Sequence, residues 1–197
     1  METPRHTLPI RNTYLAALVF IGWAAIAPYD VYGGIGQLAP ELTSSAWINS
    51  PPLSLGDLRG SVILVEFWTF GCYNCRNVEP KIKQWHETYT NRGLVIIGVH
   101  SPEFAYEKDV DAVSPYVRDH EIRYPVVTDN DFSIWNRYAN HYWPAMYLID
   151  KRGIIRYIRI GEGGYNETER MIQRLLDPTY AFTLSRDGWS APHNQEG

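Results

Sequence analysis

The two cysteines of the chain, Cys72 and Cys75, lie three residues apart in the stretch VEFWTFGCYNC. A pair at this spacing could form a structural disulfide, half of a zinc site, a haem attachment point, or a redox pair that cycles between dithiol and disulfide. Attachment of a c-type haem requires a histidine directly after the second cysteine, where this chain has Arg76. A zinc site of the finger type requires a second ligand pair at close spacing, whereas His86 and His100 fall singly and far apart. We therefore predict neither a haem nor a metal site.

A redox pair suits the surrounding sequence better than a structural disulfide does. A disulfide at this spacing would close a loop too short to constrain much of the unfolded chain. Before the cysteines, Val62–Trp68 is a run of β-branched, aliphatic and aromatic residues, which predicts a strand buried on both faces. After them, apolar residues recur at helical spacing as far as Gly93, which predicts a helix of about five turns with a kink at Pro80.

The junction of this strand and helix gives the two thiols different chemistry. In the first turn of a helix, unpaired N–H groups and the positive end of the macrodipole stabilise a thiolate, so we expect Cys72 to ionise near or below neutral pH. Cys75 lies one turn inside the same helix and is close enough to attack a mixed disulfide on Cys72. The pattern predicts a nucleophile and a resolving thiol.

Glu66 is the acidic residue inside the predicted apolar strand. A carboxylate in such a position is costly unless it is paired or protonated. Because perturbed acids cluster at functional sites, we expect Glu66 to relay protons for the cysteines rather than to serve the fold alone.

The rest of the chain alternates between predicted strands and helices. The strand, helix and strand that include the cysteines form a parallel unit with a right-handed crossover. Asn166 has the spacing of a capping-box residue at the start of the last helix. We expect His100 and His120 to lie at the surface or in loops, and Glu162, in a glycine-rich loop, is a candidate to approach the cysteines. The other predicted elements are strands at 94–99, 124–128, 145–149 and 154–160, and helices at 111–119 and 132–138.

Composition and charge indicate one globular domain with appendages. The chain has 197 residues, of which 45% are hydrophobic and 20% are charged. The net charge is −4, and no basic run is longer than Lys151-Arg152. We therefore expect neither nucleic acid nor an anionic membrane surface as a partner.

The N-terminus has the layout of an export signal. Arg5 and Arg11 precede an uncharged apolar run at 14–27, which ends in Ala-Ile-Ala before Pro28. A proline after this cleavage-like motif suits a signal peptidase poorly, so cleavage as a signal peptide and retention as a membrane anchor are both open at this point. Both interpretations place the rest of the chain outside the cytoplasm; an ordinary buried helix is the alternative to them.

The sequence around the cysteines resembles a known family. The stretch WTFGCYNC is similar to the active-site signature of the thioredoxin superfamily, and APELTSSAWINSPPLSLGDLRGSVILVEFW is similar to the opening of the TlpA/ResA group of extracytoplasmic thiol-disulfide oxidoreductases. The later segments GVHSPEF, YPVVTDND, YWPAMYLID and GEGGY resemble more specifically the thioredoxin-like domain of DipZ-type membrane proteins. The resemblance extends from about residue 39 to residue 176.

This resemblance implies a thioredoxin-like α/β fold, in which helices flank a central mixed β-sheet. It divides the chain into a signal peptide or membrane anchor with a linker (1–36), a thioredoxin-like domain (37–178) and a loosely ordered tail (179–197). It also gives Trp143-Pro144 the position of a cis-proline facing the cysteines, and Glu66 that of a buried carboxylate. The residues that it implies for substrate binding are Trp68, Tyr73, Asn74, Trp143 and Pro144.

The function implied is the exchange of protein disulfides outside the cytoplasm, with no cofactor and with a membrane protein as a candidate electron donor. The resemblance favours a reductase, although Asn74 and Val78 stand where many TlpA/ResA reductases have proline and glutamate. Two alternatives stay open. A peroxiredoxin-like peroxide reductase would have a proline where this chain has Val65, although Thr69 fits that pattern. A redox-inert binding module would not need an intact cysteine pair.

Overall fold

The computed structural model describes residues 33–44, 46–177 and 179. Its strands are β1 (Trp47–Ile48), β2 (Val62–Trp68), β3 (Leu94–His100), β4 (Val126–Thr128), β5 (Ala145–Ile149) and β6 (Ile155–Ile160). Its helices are α1 (Tyr73–Tyr89), α2 (Val110–Asp119), α3 (Ser133–Arg137) and α4 (Tyr165–Leu176), with short 3-10 turns at Thr90–Arg92 and Ala105–Lys108.

The six strands form one mixed sheet in the order β1-β4-β3-β2-β5-β6. β2 pairs in parallel with β3, and β3 in parallel with β4, whereas β1, β5 and β6 run antiparallel to their neighbours. The predicted central mixed sheet is therefore confirmed. The cysteine-bearing loop leaves the sheet from the end of β2, which is a central strand.

Helices cover both faces of β2, which explains why all seven of its residues are buried. Val62, Leu64 and Trp68 point to a cluster with α1, α2 and α4 that also contains both cysteines. Ile63 and Phe67 point to a second cluster with α3 and the segment before β2. A carboxyl at position 66 must therefore lie on the face that packs against α1.

Two local predictions are wrong. Asn166 does not cap the last helix, because α4 begins at Tyr165 with Gly164 as its N-cap. Gly164 has a φ of 62°, a left-handed conformation that glycine adopts readily. His100 is not at the surface, because it is the fully buried last residue of β3. Its ring lies against those of Trp68 and Phe70.

The described N-terminal residues run along the domain. The Gly33 N–H donates to the carbonyl oxygen of Arg137 at 2.9 Å, and the Gly36 N–H donates to that of Ile155 at 2.8 Å.

None of the helices in the described part of the chain is long and apolar enough to cross a membrane. The apolar run at 14–27 and the tail from residue 180 onward lie outside the described residues.

Candidate active site

Cys72 and Cys75 form a disulfide at the N-terminus of α1, with their Cα atoms 5.3 Å apart. Cys72 is the N-cap of the helix, and its Sγ accepts a hydrogen bond from the Cys75 N–H at 3.2 Å. Cys72 is 8% exposed and Cys75 is 3% exposed. The helix therefore directs an N–H donor at the outer sulfur, the arrangement that stabilises a thiolate there.

The loop between β2 and α1 is fixed by its neighbours. The Cys72 N–H donates to the carbonyl oxygen of Thr69 at 3.3 Å, which closes a tight turn. A Cβ atom at Gly71 would overlap Oε1 of Glu107 and Oη of Tyr106. A side chain at position 71 would therefore displace the ends of Glu107 and Tyr106, because their segment packs directly on the residue before Cys72.

The Trp143-Pro144 peptide bond is cis, as predicted. Ala145 pairs with Phe67, so Pro144 lies beside the end of β2 from which the cysteine loop departs. The ring of Trp143 packs against the cluster that contains both cysteines, and its Nε1–H donates to the carbonyl oxygen of Ser101 at 2.9 Å. The structure therefore brings this segment to the same edge of the sheet as the disulfide.

Glu66 is 2% exposed and lies on the face of β2 that packs against α1. Burial raises the pKa of its carboxyl to about 8; the hydrogen bond from the Tyr124 hydroxyl opposes the rise, and the charge of Glu79 adds to it. The Tyr124 hydroxyl donates to Oε2 at 3.3 Å. A carboxyl with this pKa can accept and release a proton near neutral pH.

Glu79, which the sequence analysis did not single out, lies one turn beyond Cys75 on α1. Its carboxylate accepts hydrogen bonds from the Tyr116 hydroxyl at 3.0 Å and from Lys83 Nζ at 3.0 Å. His120 Nδ1 lies 3.1 Å from the same carboxylate, and the His120 ring stacks on Tyr116 with centroids 3.7 Å apart. The i, i+4 spacing of Glu79 and Lys83 was the one signal of this cluster in the sequence.

The residues predicted to bind substrate differ in exposure. Tyr73 is 69% exposed and Asn74 is also exposed, directly after Cys72. Trp143 is half-buried and Pro144 is buried. Trp68 is 4% exposed, and its ring contacts those of His100 and Tyr116. The substrate-binding roles stay predictions, and burial makes Trp68 the weakest of them.

Further exposed aromatic side chains lie near the loop that carries the cysteines. Phe104 and Tyr106 stack on each other with ring centroids 5.7 Å apart, and Tyr106 lies 5.8 Å from Phe70. Tyr142, beside the cis bond, is exposed as well. On the other side, Asn77 Nδ2 donates to Glu162 Oε2 at 2.9 Å, so the glycine-rich loop does reach α1 near the cysteines.

Residues 35–158 match the AhpC/TSA family. The chain belongs to this family. The chain is 43% identical over 143 residues to protein DipZ of Mycobacterium tuberculosis, a match that covers 71% of the chain and 21% of DipZ. It therefore spans about one fifth of the length of that relative. It is 26% identical to the thiol-disulfide oxidoreductase ResA of Bacillus cereus, over 72% of the chain and 78% of ResA.

A solved structure shares the fold of this chain. A thiol-disulfide isomerase from Corynebacterium glutamicum superposes with a TM-score of 0.63 at 26% identity, over 70% of this chain and 96% of that one. The predicted thioredoxin-like fold and the predicted resemblance to thiol-disulfide oxidoreductases are thereby confirmed.

Proposed function

We propose that this chain reduces disulfides in protein partners outside the cytoplasm through Cys72 and Cys75. The observation that carries the proposal is the disulfide at the N-terminus of α1, where the helix directs the Cys75 N–H at Cys72 Sγ. Cys72 is the more exposed of the two residues, so we expect a partner to reach its sulfur first.

The cycle transfers two electrons from the dithiol of this chain to the partner disulfide and uses no cofactor. The Cys72 thiolate attacks one sulfur of the partner disulfide, forms a mixed disulfide and releases the other partner sulfur as a thiolate. The Cys75 thiolate then attacks Cys72 Sγ, which closes the Cys72–Cys75 disulfide and releases the second partner thiolate. The partner has gained two electrons, and the chain is left in the oxidised state of this structure. An external dithiol must reduce it again.

Glu66 serves this cycle as a proton acceptor and donor. Cys75 must lose its proton before it can attack, and it is buried in the same cluster toward which the Glu66 strand face points. The pKa of Glu66, raised to about 8 by burial, suits proton exchange with a thiol near neutral pH.

The partners we propose are proteins that carry a disulfide or dithiol in an accessible segment. The cis-proline segment of Trp143 and Pro144 and the exposed Tyr73 and Asn74 offer contacts on two sides of the disulfide. The resemblance to DipZ-type membrane proteins supports a membrane protein as the electron donor. Arg5, Arg11 and the apolar run after them support an extracytoplasmic location with a signal or an anchor.

Insulin reduction tests the proposal. We expect the full chain, at catalytic concentration, to accelerate the reduction of insulin by dithiothreitol. With Cys72→Ser, insulin should be reduced only at the rate measured without protein. Catalysis without Cys72 would contradict the proposed nucleophile. A chain without effect on insulin would support the redox-inert binding module. Turnover of a hydroperoxide but not of insulin would support the peroxide reductase.

A further inference from the structure

A segment that follows β3 packs on the cysteine loop. The 3-10 turn Ala105–Lys108 lies beside this loop, as the contact between the rings of Tyr106 and Phe70 shows. The Phe104 and Tyr106 side chains of this segment are exposed, whereas Glu107 is fully buried. A buried carboxylate in an otherwise exposed segment requires an explanation because its desolvation is costly.

The Glu107 carboxylate is held by three backbone N–H donors from two parts of the chain. Its Oε1 accepts from the Gly71 N–H at 2.8 Å. Its Oε2 accepts from the N–H groups of Glu103 and Phe104 at 2.6 and 2.8 Å. The carboxylate thus joins its own segment to the residue that directly precedes Cys72.

No lysine or arginine neutralises this charge within the described part of the chain, since none of its ion pairs involves Glu107. The charge of Glu107 also affects a buried histidine, His100. Burial lowers the pKa of His100 to about 4, and the charge of Glu107 is the main influence that opposes this lowering. The Glu107 carboxylate therefore interacts with two groups at the cysteine loop, the His100 ring and the Gly71 N–H.

We propose that Glu107 is a positioning residue that acts on the disulfide through Gly71. Its carboxylate fixes the backbone of Gly71 and places a negative charge that has no Lys or Arg partner among the described residues at the position directly before Cys72. The inference rests on the proposed function and deepens it, because it concerns the direction in which the same cysteine pair works.

The charge and the helix act on the Cys72 thiolate in opposite senses. The first turn of α1 stabilises a thiolate, whereas a nearby carboxylate disfavours a second negative charge. A less stable thiolate makes the dithiol form less stable relative to the disulfide, so the pair gives up its electrons more readily. Glu107 therefore biases the pair toward reduction of its partners. Other titratable groups around the loop are His100, Tyr106 and Tyr116, whose rings contact that of Phe70. The exposed Glu103 and Arg76, in the first turn of α1, are the charged groups nearest to it along the chain.

The test compares Glu107→Gln with Glu103→Gln in the full chain. The second variant removes an exposed carboxylate from the same segment and serves as the matched control. For Glu107→Gln we expect the pH midpoint of Cys72 alkylation to fall by about one unit. We expect its equilibrium with glutathione to shift toward the dithiol by up to about tenfold, roughly 30 mV. Glu103→Gln and the charge-conserving Glu107→Asp should stay close to the wild type.

The possible results separate a failure of the Glu107 inference from a failure of the proposed function. An unchanged or raised midpoint in Glu107→Gln would overturn the inference, because loss of a structural contact alone would loosen the helix start and weaken thiolate stabilisation. A fall of equal size in Glu107→Asp would also overturn it. If the wild-type pair does not exchange with glutathione at all, the proposed function itself fails.

A measurement on the wild type covers the case in which Glu107→Gln does not fold. The carbon-13 carboxyl resonance of Glu107 in the dithiol form should shift with the same pH midpoint as the alkylation of Cys72, because the two charges interact. A resonance that does not respond to ionisation of Cys72 would overturn the inference.

Discussion

Cys75→Ser is expected to abolish multiple-turnover disulfide reduction and to leave the chain covalently attached to its partners. Cys72 would still attack a partner disulfide, but no second thiol would remain at short range to release the product. In the wild type the two Cα atoms are 5.3 Å apart, so resolution is intramolecular. Non-reducing electrophoresis and mass spectrometry of the variant, expressed with its N-terminus intact, should reveal adducts that disappear on addition of dithiothreitol.

Cys72→Ser is the matched control, because it removes the other sulfur of the same disulfide. It should form no adducts, since Cys75 is the more buried of the two residues. Adducts on Cys75 in this variant would reverse the assignment of nucleophile and resolving thiol. Adducts found in the cytoplasm alone would contradict an export function for the N-terminal apolar run.

Glu66→Gln is expected to stabilise the chain increasingly as the pH rises. In the folded state, burial raises the pKa of Glu66 from its ordinary value of 4.5 to about 8. Between these two values the unfolded chain releases the proton while the folded chain retains it, so the wild-type free energy of unfolding falls by roughly 1.4 kcal/mol per pH unit. Below pH 4.5 this carboxyl does not change the free energy of unfolding with pH, and above about pH 8 the free energy of unfolding stops falling on its account.

Urea unfolding of the oxidised wild type and Glu66→Gln at several pH values measures this difference. It should grow by about 3–5 kcal/mol between acidic and mildly alkaline pH. The glutamine can still accept the hydrogen bond from Tyr124. Glu103→Gln, which removes an exposed carboxylate, should track the wild type. A constant difference between Glu66→Gln and the wild type would contradict a raised pKa at position 66.

The same variant should exchange disulfides more slowly, by a factor on the order of 100, because a glutamine cannot carry a proton to or from Cys75. Stopped-flow measurement of the resolution step separates this effect from stability. Unchanged resolution rates would make Glu66 a buried acid without a part in the cycle.

The elements that carry the cysteines could be predicted because their signals are local. The β-branched run of β2 and the helical period after Cys72 each lie within one short stretch, and the structure places β2 and α1 where these patterns predict. The burial of Glu66 also followed from its apolar neighbours along the strand. The cis geometry of Trp143-Pro144 was accessible through the family resemblance and not through any local pattern.

The features that the sequence did not reveal depend on contacts between distant segments. Glu107 is buried by backbone N–H groups, and a backbone donor leaves no mark on residue type. His100 looked like a loop residue because it ends its strand, but the rings of Trp68 and Phe70 enclose it. Asn166 had the right residue type for a cap, but the left-handed backbone at Gly164 begins the helix earlier.

The reduction potential of the Cys72–Cys75 pair shows whether the chain can act as a reductase of protein disulfides. The full chain is equilibrated with glutathione or dithiothreitol buffers, and the fraction of dithiol is quantified by mass spectrometry after alkylation. We predict a single reversible two-electron transition with a potential below about −200 mV, in the range of dithiol reductants. A pair that undergoes no such transition, or one with a potential near about −120 mV as in strong dithiol oxidants, would contradict a protein-disulfide reductase.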